Sequence, residues 1–251
     1  MSRTKAAFIH LLLSILVFCA LFIAIGGTRA EDFFSPYFIV SGEWEGLKVA
    51  AAINFTLGPL LTLTIFNTQK PRKKILDDLA IILALQLAIL WWSSITIYGQ
   101  RPVAIVFWGN SFYTVPATAL SNQNFDADYF EPLGTNALPL IYAQKPKTVA
   151  GLKRVSKRSE IDRVPPHHQV DLYKPLQNHF FELTTLQVDI EEIIKINTKM
   201  KAALMSLLKK KNKKIKNYLY FPLQSRYGNM ILVFSPQGEI EGQITVTPRD
   251  T

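Results

Sequence analysis

Residues 79–98 read LAIILALQLAILWWSSITIY, twenty residues without a charge. A helix rising 1.5 Å per residue would carry this run across about 30 Å, the hydrocarbon thickness of a bilayer. A core helix of a soluble protein keeps a polar face, and this run has none. Two similar runs lie upstream, Ala6 to Gly26 and Val49 to Phe66, again with no acidic or basic side chain inside them. The middle run is the most polar, holding Asn54, Thr56, Gly58, Pro59, Thr62 and Thr64. The expected fold class is therefore a membrane α-helical region of three transmembrane helices (about 6–26, 49–66 and 79–98) followed by a small α+β domain. The expected division is 1–98 and 99–251.

Charges between the runs predict orientation. Arg3 and Lys5 precede the first run, and Lys70, Arg72, Lys73 and Lys74 lie between the second and third. Glu31, Asp32, Glu43 and Glu45 stand against Arg29 in the loop between the first two, with Lys48 at the membrane edge. Short loops rich in Lys and Arg stay in the cytoplasm. That rule predicts a cytoplasmic N-terminus and puts everything after Tyr98 outside, in the periplasm if the membrane is a bacterial inner membrane. Thr28-Arg29-Ala30 loosely resembles a signal-peptide cleavage site, but the apolar run is longer than a usual signal core and is read as an uncleaved anchor.

The chain carries a net charge of +9, and after Tyr98 there are 20 Lys and Arg against 13 Asp and Glu. The only cysteine, Cys19, lies in the first run, which excludes an internal disulfide. One Cys and four His leave no zinc-ligand spacing.

In the second half, Val103 to Phe107 and Phe112 to Pro116 flank Trp108-Gly109-Asn110-Ser111 and predict a β-hairpin. A polar stretch runs from Ser121 to about Asn136, and Leu140 to Ala143 predicts a short strand. The stretch 144–175, basic and holding Pro146, Pro165, Pro166 and Pro175, predicts loop with short helices at most. Ile190, Ile193, Ile194, Met200, Leu204, Leu207 and Leu208 predict one long amphipathic helix over about 188–211. Strands are expected at 218–221, 230–234 and 240–246, with Pro236-Gln237-Gly238 turning between the last two.

Few residues invite chemistry. Lys209 to Lys216 reads either as a patch for phosphate or anionic lipid or as a solvated helix end, where lysines complement the dipole. His167-His168, near Asp162 and Asp171, offers a metal or acid–base pair, but adjacent histidines in a Pro-rich loop are expected to face water. His10 is expected at the membrane interface. Neither a Gly-rich phosphate loop nor an HExxH or GxSxG motif occurs, and no nucleic-acid recognition motif appears. The reading is of a non-enzyme with no cofactor, no metal and no nucleic-acid partner. Asn54, Gly58 and Thr62 recur every four residues along one helix face, beside the helix-kinking Pro59. Small and polar residues on one face admit a second helix. That helix is either a partner's or this chain's own, where Gln86, Ser93 and Ser94 offer polar contacts.

At this point the residues resemble a family. Asn54-Phe55-Thr56-Leu57-Gly58-Pro59-Leu60-Leu61-Thr62-Leu63 resembles the LGPLLTL segment of type IV pilin accessory proteins, small inner-membrane proteins encoded beside pilin genes. Further matches follow in order: Phe66 before a basic loop, Asp77-Asp78-Leu79, and Leu85-Gln86-Leu87. Then come Gly99-Gln100-Arg101-Pro102-Val103 with Val106-Phe107, similar to the family's GRPV…VF passage with one inserted residue. Phe221-Pro222-Leu223 and Arg226-Tyr227-Gly228 complete the set. Asn54 stands where the family usually has Asp, and Asn110-Ser111 where it commonly has Asp-Arg.

The resemblance implies a factor that supports stability or assembly of its cognate major pilin. Other pilus assembly proteins and inner-membrane lipid are its remaining expected partners. Asn54, Gly58, Pro59 and Thr62 are the expected contact for the pilin helix, and Arg101, Pro102, Phe107, Pro222, Arg226 and Gly228 are the residues shared with the family. The alternatives are a membrane-anchored sensor, an envelope-binding module, or a pilin-modifying transferase.

Overall fold

The computed structural model describes residues 2–26, 36–67, 69–126, 129–130 and 138–246. The loop carrying Arg29, Glu31 and Asp32, the Thr28-Arg29-Ala30 site and much of the polar stretch before residue 138 lie outside the described residues. The chain forms two compact units, Met1–Gly99 and Gln100–Thr251.

The first unit is helical: α1 (Arg3–Gly26), the short α2 (Pro36–Ser41), α3 (Glu43–Ile65) and α4 (Arg72–Gln100). Helices α1, α3 and α4 are each long and apolar enough to cross a membrane. All three start earlier than the apolar runs, α1 by one turn at Arg3 and the other two by more. Helix α3 takes Glu43 and Glu45 into its first turn, where the exposed Glu45 carboxylate meets the positive end of the helix dipole and pairs with Lys48. Helix α4 begins directly after Pro71 and recruits Arg72, Lys73 and Lys74, with Lys70 bound to Asp78 of its second turn at 2.6 Å. Apolar runs locate the membrane-crossing segment, whereas backbone hydrogen bonding carries the helix past it. The large apolar side chains turn outward: Trp91 is 70% exposed and Trp92 72%.

The second unit is built on a seven-stranded mixed sheet: β1 (Pro102–Trp108), β2 (Ser111–Pro116), β3 (Leu140–Ala143), β4 (Tyr173–Pro175), β5 (Leu219–Gln224), β6 (Asn229–Phe234) and β7 (Ile240–Val246), in the order β4-β3-β1-β2-β5-β6-β7. The hairpin turns on Gly109-Asn110, with Trp108 opposite Ser111. β3 joins β1 in parallel and β5 joins β2 in parallel. Alternation along each strand then sorts side chains between two faces. One face gathers Phe107, Phe112, Phe221 and Phe234, ring centroids 5.0–6.2 Å apart, and Phe180 closes over them. The β6–β7 turn lies against that cap: Gly238 has φ 91, and a Cβ there would press on the Phe180 ring. The opposite face carries Val106, Val115 and Ile141 at one end and Tyr220, Ile231 and Val233 at the other.

Helices cover this second face, and here two expectations are corrected. The basic stretch read as loop contains α6 (Val149–Glu160), three turns capped by the Thr148 hydroxyl, which accepts from the Gly151 amide. Val149, Leu152 and Val155 recur at helical spacing, but only Val155 is buried and so short a stripe is masked by basic residues and flanking prolines. α5 (Ala117–Leu120) and α7 (Phe180–Leu183) are single turns. The one long helix over 188–211 is two, α8 (Ile190–Ile196) and α9 (Thr198–Lys211). The break falls at Asn197, whose carboxamide accepts from the Met200 amide and starts a new helix. Asp189 caps α8 in the same way. Helix α9 ends at Asn212, in the left-handed region, with Lys209, Lys210 and Lys211 in the last turn. Lys211 reaches Glu241 at 2.6 Å.

Candidate functional site

The helical unit hides polar groups where a soluble protein hides apolar ones. Asn54 on α3 is 2% exposed and Thr62 1%, with Ser14 of α1 and Gln86 of α4 also buried. They form one network. The Gln86 amide donates to the Ser14 hydroxyl (3.2 Å), the Asn54 backbone carbonyl (3.1 Å) and the Asn54 side-chain oxygen (3.4 Å). Asn54 donates in turn to the Ser14 carbonyl. His10 closes the network, its Nε2 2.5 Å from Gln86 Oε1 and its Nδ1 2.6 Å from Thr62 Oγ1. The Gln86 oxygen only accepts, so His10 Nε2 donates to it, and in the neutral imidazole the Thr62 hydroxyl donates to Nδ1. Every polar side-chain group in this set has a hydrogen-bond partner, as a low-dielectric interior demands.

Gly58 explains how Gln86 reaches the network. A Cβ at position 58 would overlap the Gln86 carboxamide. The absence of a side chain there lets Gln86 lie across α3. Asn54, Gly58 and Thr62 thus face this chain's own α1 and α4, with Pro59 half-buried beside them. His10, expected at the interface, instead joins helices, because a second-turn histidine of α1 meets Thr62 and Gln86. Ser94 stays local, bonded to the Leu90 carbonyl of its own helix. Beside the network a cleft of about 240 Å³ opens between α1 and α4, walled by Ile9, Leu13, Leu83 and Leu87.

The residues that carry the resemblance play structural parts in the sheet unit. The Arg101 carbonyl accepts from Ala117, and Pro102 opens β1 opposite Pro116. Phe107 is 1% exposed at one side of the phenylalanine cluster, against Phe112 and Phe221. Pro222 lies in β5 opposite Ile231. Arg226 stacks over the Tyr227 ring, and the Gly228 carbonyl accepts from Ser225 in the β5–β6 turn. The structure does not gather them into one pocket.

His167 and His168 do not simply face water. The His167 ring lies parallel to Tyr113 at 4.2 Å, and its backbone carbonyl accepts from the Tyr173 hydroxyl. Burial lowers the His167 pKa to about 3, helped by His168, and lowers that of His168 as well. Both are neutral packing groups at ordinary pH. Asp171 is engaged by Arg154 and Arg158. No group of three His, Cys, Asp or Glu among the described residues is placed to hold a metal.

The geometry defines a class: a unit of three apolar helices clamped by an internal polar network, joined to an α+β sheet domain. The chain is 35% identical over 103 residues to the serogroup E1 fimbrial assembly protein of Dichelobacter nodosus, covering 41% of this chain and 39% of that protein. It is also 35% identical over 72 residues to the fimbrial assembly protein of serogroups C1 and C2 from the same organism, covering 29% and 55%. These matches span well under two thirds of either relative. No family model matches the chain, and no solved structure does.

Proposed function

We propose that this chain is a non-catalytic accessory factor for type IV pilus biogenesis in the bacterial inner membrane. The observation that carries the proposal is the 35% identity over 103 residues to a protein named for fimbrial assembly. In this reading the N-terminus is cytoplasmic, because Lys70, Arg72, Lys73 and Lys74 stay inside, and the sheet domain is periplasmic. The protein supports stability or assembly of its cognate major pilin, working with other assembly proteins. Asn54, Gly58 and Thr62 serve the pilin contact from within, by fixing α1 and α4 on α3. The pilin helix meets the outer faces of that bundle while the sheet domain holds the pilin head. Two weak contacts on one scaffold gain from a high effective concentration.

In-cell crosslinking of the tagged protein in its native membrane tests this, with pilin level and surface pili scored in a deletion strain. Pilin recovered with the protein, and pili lost or altered on deletion, is the expected result. Normal pili and no recovered pilin would overturn the proposal.

A further inference from the structure

We infer that a cleft at the carboxyl ends of β1 and β3 binds an acidic segment of a partner protein that also carries an apolar side chain. The chemistry rests on the cleft alone; the pilin as its source rests on the function proposed above. The cleft holds about 370 Å³ between Phe107, Trp108, Tyr142, Lys145, Glu182 and Leu186. Its place follows from topology. β1 and β3 run parallel with Phe107 opposite Tyr142, so both strands end at one edge.

The floor is apolar and firm. Phe107 is buried, and Tyr142 stacks on it at 6.3 Å and on His179 at 4.7 Å. Leu183 is fully buried beneath. At the mouth the two charges differ in availability. Glu182 already accepts from His179 Nδ1 (3.0 Å) and the Tyr142 hydroxyl (3.3 Å). The His179 hydrogen bond, above all, holds its carboxyl below the usual range, with Lys147 contributing. Lys145 has no ion pair among the described residues. The uncommitted charge is therefore positive and stands over an aromatic floor. A carboxylate beside an apolar side chain satisfies both, whereas a cation would compete with His179 and Tyr142 and meet two lysines. Next to the cleft Phe181 is 88% exposed and Leu186 42%. A nearly bare Phe beside a pocket is the kind of side chain that anchors protein interfaces. The surplus of basic residues in this half steers acidic partners toward it.

The test uses the full-length protein in lipid nanodiscs, labelled with 5-fluorotryptophan, the Trp108 resonance being assigned with Trp108→Phe. The probe is 3-phenylpropionate, compared with its neutral amide and with phenethylamine. The expected result is a saturable Trp108 shift, about tenfold tighter for the carboxylate than for the amide, and lost in Lys145→Glu but retained in Phe181→Ala. No shift, equal affinity for the amide, or preference for phenethylamine overturns the inference. In cells, Lys145→Glu with Phe181→Ala is expected to cut pilin recovery about tenfold at unchanged protein level. Unchanged recovery overturns the cleft's role in partner binding. Probe binding with no pilin captured even by the unmodified protein would sink the assembly proposal and leave the cleft chemistry standing.

Discussion

The two units are built inside out relative to each other. In the helical unit the buried side chains include Ser14, Asn54, Thr62 and Gln86, while Trp91 and Trp92 face outward. In the sheet unit phenylalanines fill the interior and the lysines of α9 face outward. The same physical rules apply to both; the solvent that each surface suits differs. Facing hydrocarbon, apolar surface gains nothing by burial, so helices are joined by hydrogen bonds and close packing. Facing water, apolar burial dominates and polar groups are left outside.

This contrast can be broken at several points. The largest effect is expected in the sheet unit, where Phe221→Ala removes the centre of the phenylalanine cluster. About 3–5 kcal/mol should be lost, seen as early proteolysis after residue 100 while α1–α4 stay inserted. Next is Gly58→Leu, which forces the Gln86 carboxamide out of its place. About 1–3 kcal/mol of overpacking is expected, read as faster detergent-induced separation of helices, with the sheet unit unaffected. A variant with full helix–helix stability would refute the crossing of Gln86 over α3. Gln86→Leu should cost less, about 1–2 kcal/mol, because the released groups of Asn54 and His10 can find other partners. In the sheet unit Asn197→Ala should cost about 1 kcal/mol through its lost cap, with the melting temperature as readout.

Acid sharpens the comparison further. The His167 pKa, about 3 in the fold against 6.5 as the ordinary value, means that the unfolded chain binds a proton the fold refuses. Its contribution is intact above pH 6.5 and is lost as pH falls from 6.5 toward 3. His167→Phe should flatten the acid limb of sheet-unit stability, whereas an unchanged limb would place the sensitivity elsewhere.

Much of this was legible before any coordinates. Gly109-Asn110 between two β-rich runs marked the hairpin, and Gly238 marked the last turn. The break at Asn197 was not: Ile193 and Met200 are seven residues apart and keep one helical stripe, so the capping residue type at 197 was the sole local sign of a new start. Helix α6 was masked as well, because its stripe is only Val149, Leu152 and Val155, set among basic residues and prolines.

The sequence by itself determined that the chain has three segments suited to a bilayer and a separate basic α+β half. Run length, charge and alternation are local properties, and hydrocarbon thickness and strand geometry read them directly. It also determined that Asn54, Gly58 and Thr62 share a face. Only the tertiary structure decided what that face meets. Ser14, Gln86 and His10 lie 40, 32 and 44 positions away from Asn54 along the chain, and nothing in local spacing selects them. The cleft over Phe107 was decided in the same way, because β1, β3 and the turn around Glu182 come together only through a parallel pairing that skips the intervening chain. Such pairings are chosen by the sum of packing across the whole sheet.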